Sequence, residues 1–156
     1  MNKVLVSYFS ASGVTRSVAE KVSKVVDGDL FEIEPVDIYT KEDLDWTNEN
    51  SRSSREMKDK SFRPSVKNKV LNIDNYSVVV IGFPVWWYTV PTIINTFIEE
   101  NNLENKDIYI FVTSGGSSVE GSFNDLKNIY PNLRFIRGIK FDSNVDDEEI
   151  KSFINK

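Results

Sequence analysis

Apolar runs and polar gaps alternate along the chain with two different periods. Residues 4–9, Val4-Leu5-Val6-Ser7-Tyr8-Phe9, form a short run rich in β-branched and aromatic residues, without strict alternation. Such a run predicts a strand buried on both faces, as parallel sheets require. A polar turn follows at 10–15. Val18, Val22 and Val25 then recur at helical spacing among Lys and Glu, which predicts an amphipathic helix closed by a cap at Asp27-Gly28. Residues 30–34 read as a second strand, stopped by Pro35.

The pattern fades over residues 36–75, where Asp, Glu, Asn, Ser, Lys and Arg dominate. A stretch of this length without periodicity is long for a connection. We expect an ordered excursion pinned by Ile38, Tyr39, Leu44, Trp46, Met57 and Phe62, with a weak helix over 65–71. The pattern sharpens again at Val78-Val79-Val80-Ile81-Gly82-Phe83, a third strand ended by Pro84. Pro91 suits the first turn of a helix whose apolar face is Ile93, Ile94, Phe97 and Ile98. Residues 108–112 form a fourth strand, and Phe123, Leu126 and Ile129 carry a helix that stops before Pro131. A fifth strand lies within 133–139. The last helix covers 145–154, with Asp146, Asp147, Glu148 and Glu149 in its first turn, where carboxylates favour the dipole. Strands alternating with helices imply a parallel sheet covered on both faces. No repeat or domain boundary interrupts residues 1–156, which read as a single domain.

Composition narrows the chemistry sharply. The chain has no cysteine and no histidine. Thiolate nucleophiles, the commonest general base and the commonest metal ligand are therefore absent, and we expect no metal site. Any chemistry falls to carboxylates, hydroxyls, backbone groups or a bound organic cofactor. A net charge of -5 makes nucleic acid a poor partner. The exception is residues 52–69, where Arg52, Arg55, Lys58, Lys60, Arg63, Lys67 and Lys69 face only Glu56 and Asp59. The simpler reading of that run is solvated surface; the sharper one is a docking patch for an acidic partner or a phosphorylated substrate. No signal peptide or membrane span is visible, so we expect a cytoplasmic protein.

In an open doubly wound sheet, ligands bind beyond the carboxyl ends of the strands, where strand order reverses. Three loops of unusual composition leave those ends. Ser10-Ala11-Ser12-Gly13-Val14-Thr15 sets hydroxyls and a glycine at a helix start. Free N–H groups there suit a phosphate, and an ordinary helix cap explains the same residues equally well. Pro84-Val85-Trp86-Trp87-Tyr88 puts three aromatics side by side, and neighbouring side chains in extended chain face opposite ways. At least one ring is thus left for the surface or for a flat ligand. Thr113-Ser114-Gly115-Gly116-Ser117 is small and rich in donors, as a loop against a planar ring would be and as a flexible connection would also be.

Together these loops resemble the flavodoxin-like family, specifically a bacterial branch with Ser-x-[Ser/Thr]-Gly-x-Thr, Pro-x-Trp-Trp and Thr-Ser-Gly-Gly loops. The likeness runs over residues 4–141 and includes Phe31-Glu32-Ile33-Glu34-Pro35, Tyr39, Asp43-Leu44, Trp46 and Arg52. The resemblance implies an α/β three-layer sandwich with a five-stranded parallel sheet of order 2-1-3-4-5, and non-covalent FMN. It implies that Ser10, Ala11, Ser12, Gly13, Val14 and Thr15 wrap the phosphate. Pro84, Val85, Trp86, Trp87 and Tyr88 would line one side of the flavin ring. Thr113, Ser114, Gly115, Gly116 and Ser117 would meet its other side and polar edge. Val14 stands where the family often has Asn, and Tyr88 where relatives of this branch often have Gly. Glu120 is the one carboxylate at the edge of the loops, which implies little penalty on an anionic reduced flavin and largely two-electron behaviour.

The function implied is redox: electron transfer between a reductase and an acceptor protein. The alternative is an FMN-dependent NAD(P)H quinone or nitro-compound reductase, for which no second nucleotide loop is visible. A binding protein without flavin is a third reading. A signalling domain with a phosphorylated carboxylate is disfavoured, because no Asp ends the third strand. No residue is assigned a catalytic role; Tyr88 and Glu120 are the nearest candidates for a proton donor.

Overall fold

A computed structural model describes residues 3–10, 13–37, 39–45, 47–59, 61–70, 72–85, 90–113 and 119–154. Five strands, β1 (Lys3–Tyr8), β2 (Asp29–Glu32), β3 (Tyr76–Pro84), β4 (Asp107–Thr113) and β5 (Arg134–Lys140), pair in parallel in the order β2-β1-β3-β4-β5. This is the expected order. Helices α1 (Val14–Val26), α3 (Thr92–Glu100), α4 (Glu120–Ile129) and α5 (Asp147–Ile154) cover the sheet, and α2 (Arg52–Lys58) belongs to the excursion.

Alternation along each strand sorts its side chains onto two faces. Leu5, Val79, Ile81, Ile108 and Ile110 share a core with Ile93, Ile94 and Phe97 of α3 and Leu126 of α4. Val6, Val78, Val80, Tyr109 and Phe111 share the other with Val18 and Val22 of α1 and Ile150 and Phe153 of α5. Both faces are buried, hence the continuous apolar runs. The order reverses between β1 and β3: the chain leaves β1 through α1 for β2 on one side, and β3 through α3 for β4 on the other.

The cap after α1 falls at Asp27-Gly28 as expected, with Asp27 as the left-handed residue at φ 54°. Gly28 is small for another reason, since a Cβ there would stand 2.9 Å from the Val4 carbonyl oxygen. Other local expectations are corrected. Asp146 precedes α5 and caps it, its Oδ1 accepting the Glu149 N–H at 2.8 Å. Ile129 is half exposed rather than buried.

The excursion holds no helix at 65–70. Val66 forms an antiparallel bridge with Pro35, Val36 N–H donates to Ser65 O, and Lys67 N–H donates to Glu34 O. Backbone groups spent that way are lost to a helix. The helix lies instead at α2, whose N-cap is Ser51. Of the expected anchors, Tyr39 is buried and Leu44 packs on the core, whereas Phe62 is exposed. Ile38 and Trp46 lie outside the described residues, as does the Met57 side chain.

Polar contacts tie the excursion down. Arg63 Nε donates to Glu99 Oε1 at 3.0 Å, and the Tyr130 hydroxyl donates to Glu99 Oε2. Burial and the Glu99 contact push the Tyr130 phenol up to about 12. Burial, then the hydrogen bond to Glu56, raises Tyr39 further still. A folded-state value above the unfolded value of about 10 favours folding at lower pH and stops doing so as pH rises through the folded value. Stability is therefore expected to fall steadily above about pH 10. Urea midpoints measured across the alkaline range should show this, and Tyr130→Phe should flatten the slope. An unchanged slope would mean that Tyr130 titrates alike in both states.

Candidate functional site

The first loop begins where β1 ends. Phe9 N–H still donates to Gly82 O of β3 at 2.9 Å, so the backbone enters the loop at a fixed point. The Ser10 hydroxyl accepts the Gly13 N–H at 3.0 Å and closes the turn. Gly13 has φ 96°, in the left-handed region that other residues enter only with strain. A Cβ at Gly13 would meet nothing within 4 Å among the described residues.

Among the described residues, no side chain caps α1. A helix start leaves its first-turn N–H groups outside the helical ladder, and the helix dipole there is positive. An ordinary side-chain cap, the competing explanation of this loop, is thus missing at Gly13. The Ser10 hydroxyl keeps its own hydrogen to donate. Val14 is 42% exposed.

Thr15 and Thr113 join the first loop to the third. Both are buried, at 2% and 5% exposure. Their hydroxyls lie 2.7 Å apart in a hydrogen bond across which either can donate. One hydroxyl hydrogen of the pair is left over. Thr113 also serves the second loop: it stands opposite Pro84 in register, and its carbonyl accepts the Val85 N–H at 3.2 Å. Ser10, Gly13, Val14, Thr15, Pro84, Val85 and Thr113 therefore gather at the carboxyl ends of β1, β3 and β4. Ala11, Ser12, Trp86, Trp87, Tyr88, Ser114, Gly115, Gly116 and Ser117 lie outside the described residues. Glu120 is the exposed first residue of α4.

Periodicity gave no hint of a polar cluster beside this edge. The Tyr39 ring meets Phe9 edge-on, with centroids 5.6 Å apart. Arg52 Cζ lies 3.8 Å from the centre of the Tyr39 ring, and its Nη1 donates to Asp37 O at 2.7 Å. Glu56 accepts the Tyr39 hydroxyl on Oε1 and Arg52 Nε on Oε2, the latter at 2.8 Å. The signals available were the Arg52…Glu56 spacing of one helical turn and the family likeness at Tyr39 and Arg52.

Among the described residues, no group of three acidic residues could hold a metal ion, and no helix is long and apolar enough to cross a membrane.

Comparison with known proteins agrees with this architecture. A protein of Bacteroides eggerthii DSM 20697 assigned as a flavoprotein is 46% identical, with TM-score 0.96 over 99% of this chain and 97% of that one. One of Bacteroides uniformis ATCC 8492, assigned likewise, is 41% identical, with TM-score 0.94 over 99% of each chain. A flavoprotein of Lactobacillus acidophilus NCFM, solved in complex with FMN, superposes with TM-score 0.77 over 98% of this chain and 99% of that one. At 23% identity it speaks for the fold alone. A search of curated proteins found no match. The flavodoxin family model matches residues 3–156, nearly the whole chain, and the protein belongs to the flavodoxin family.

Proposed function

We propose that the chain binds FMN at the three-loop edge and carries electrons between a reductase and an acceptor protein. The supporting observation is Thr113, whose hydroxyl holds the first loop through Thr15 and whose carbonyl holds the second through Val85. One buried residue at the end of β4 thus ties the first and second loops together beside the point where strand order reverses, the place such sheets offer a ligand.

The residues suit the group. Its phosphate would be held at the start of α1, by Ser10, Ala11, Ser12, Gly13, Val14 and Thr15. Loss of a side-chain donor at Val14 matters little where backbone N–H groups and the dipole act. Pro84, Val85, Trp86, Trp87 and Tyr88 would cover one face of the ring. Thr113, Ser114, Gly115, Gly116 and Ser117 would meet its other face and polar edge. The bound flavin supplies the electron storage, and the chain supplies position, exclusion of water and a nearly carboxylate-free rim. We place this exchange in the cytoplasm.

Addition of FMN and removal of the excess should leave a yellow protein with quenched flavin fluorescence. A colourless protein with unquenched FMN would overturn the reading. Rapid reduction by NADH or NADPH alone, without air, would replace the carrier role with that of a reductase. Thr113→Val keeps the shape but strands the Thr15 hydroxyl. It is expected to weaken FMN about tenfold by fluorescence titration while far-ultraviolet dichroism stays unchanged. Unaltered affinity would mean that the hydroxyl pair does not set the loops.

A further inference from the structure

The basic run at 52–69 separates into individual fates. Arg52 pairs with Glu56, Arg63 with Glu99 and Lys67 with Glu34. Lys58 Nζ reaches the Glu49 carbonyl at 3.4 Å. Lys60 lies outside the described residues, and Lys69 is exposed. Most of the run is thus structural pairing. Arg55 is different: it lines a cavity of about 360 Å³ together with Arg52, Glu56, Asp59 and Phe62.

The charges around that cavity are unevenly satisfied. Both Glu56 oxygens are taken, by Tyr39 and by Arg52. Asp59 Oδ1 accepts the Ser61 N–H and hydroxyl, which hold its carboxyl below the usual range. Arg55 makes no ion pair or side-chain hydrogen bond among the described residues. Its charge reaches Asp43, whose Oδ2 is already engaged by the Thr40 N–H. In the same lining, Phe62 is 43% exposed. An open fork of N–H donors in one cavity with an unburied aromatic residue matches one kind of ligand. A planar ring covers Phe62 while its carboxylate accepts both arms of the fork. The volume is within the range of small-molecule sites.

We propose that this cavity, none of whose described lining residues belongs to the three loops, is a binding site for a small aromatic carboxylate. Arg55 supplies the charge recognition and Phe62 the ring contact. The ion pair of Arg52 with Glu56 forms a wall already neutral in itself. Arg52 of that wall lies over the Tyr39 ring, and Tyr39 meets Phe9, the residue before Ser10, edge-on. The contacts of Arg52 with Tyr39 and of Tyr39 with Phe9 thus link the cavity wall to the start of the first loop. The proposal stands without the flavin reading.

The test is a titration of the full chain with 1-naphthoate, followed through backbone amide shifts. Saturable shifts are expected on α2 and residues 59–62. Arg55→Gln, an exposed change that leaves the fold intact, should weaken binding about tenfold. Phe62→Ser should weaken it by a similar factor, and neutral 1-naphthamide should bind no better to the native chain than 1-naphthoate does to Arg55→Gln. Saturating FMN should leave the affinity unchanged. Binding that ignores Arg55→Gln, equal binding of cyclohexanecarboxylate, or displacement by FMN would each overturn the proposal. The last of these would place the anion at the loops instead.

Discussion

Gly82→Ala is expected to remove most of the stability of the protein. Gly82 sits in β3 directly opposite Phe111 of β4, in the middle of the sheet. A Cβ at that position would lie 2.0 Å from Phe111 Cζ, 2.3 Å from Cε2 and 2.6 Å from Cε1. These are ring atoms, and the ring cannot swing aside. Phe111 is fully buried and packs against Phe141 at 5.9 Å, which in turn meets Phe153 at 5.3 Å. Relief would require a shift of the strand or of three aromatic rings. Overpacking in a close-packed interior typically costs 1–3 kcal/mol, and a rigid central site belongs at or beyond the top of that range, about 3 kcal/mol or more. A domain holding only 5–15 kcal/mol in total would show this plainly in a urea midpoint. Phe111→Leu deletes the three ring atoms that fill the space, so Gly82→Ala with Phe111→Leu should be more stable than Gly82→Ala alone. A single variant within 1 kcal/mol of the native protein would mean that Phe111 does not occupy that space.

The central strands were legible because both faces of the sheet are buried. Residues 78–83 and 108–112 are apolar at every position but Gly82, and such short β-branched and aromatic runs suit a strand covered on both faces. The strand order was not in the pattern; it came with the family likeness. Gly82 itself is readable only in part. A glycine inside a strand signals a close approach, but that the approaching group is Phe111 follows from register and from nothing local.

The excursion was illegible for a definite physical reason. α2 buries Ser53, Ser54 and Glu56 rather than a stripe of aliphatic residues. Periodicity methods look for apolar recurrence and find none. Its stability comes from hydrogen bonds and an ion pair, whose partners at Tyr39 and Asp37 lie more than a dozen residues away. Phe62 failed in the opposite sense: an aromatic residue in a polar stretch looks like an anchor, yet it is exposed. The candidate site sits between these cases. Ser10, Gly13, Thr15 and Thr113 were named from composition, and the structure brings them to one edge. The bond between Thr15 and Thr113, 98 positions apart, belongs to the tertiary fold alone.

Glu56→Ala is expected to cost about 3 kcal/mol, a large effect for a side chain outside the apolar core. Glu56 is 5% exposed and its two oxygens serve two different donors. Removing it takes away the carboxylate that accepts the Tyr39 hydroxyl and leaves the Arg52 guanidinium, 19% exposed as a side chain, without its ion-pair partner. Breaking one side of a buried pair is costly because the orphaned charge stays behind, not because the pair itself was strongly favourable. That distinction sets the signature to look for. Arg52→Ala with Glu56→Ala should cost clearly less than the sum of the two single changes, since the double change leaves no buried charge unpaired. Glu56→Gln should fall between, keeping an acceptor for Tyr39 while losing the ionic partner of Arg52. The damage should also be local. Tyr39 joins this cluster to Phe9, so amide exchange should accelerate first over residues 36–58 and only then at the first loop, while β3 and β4 stay protected. Additive costs, or uniform acceleration through the whole sheet, would show instead that the cluster is not a unit and that the excursion is held by its apolar contacts.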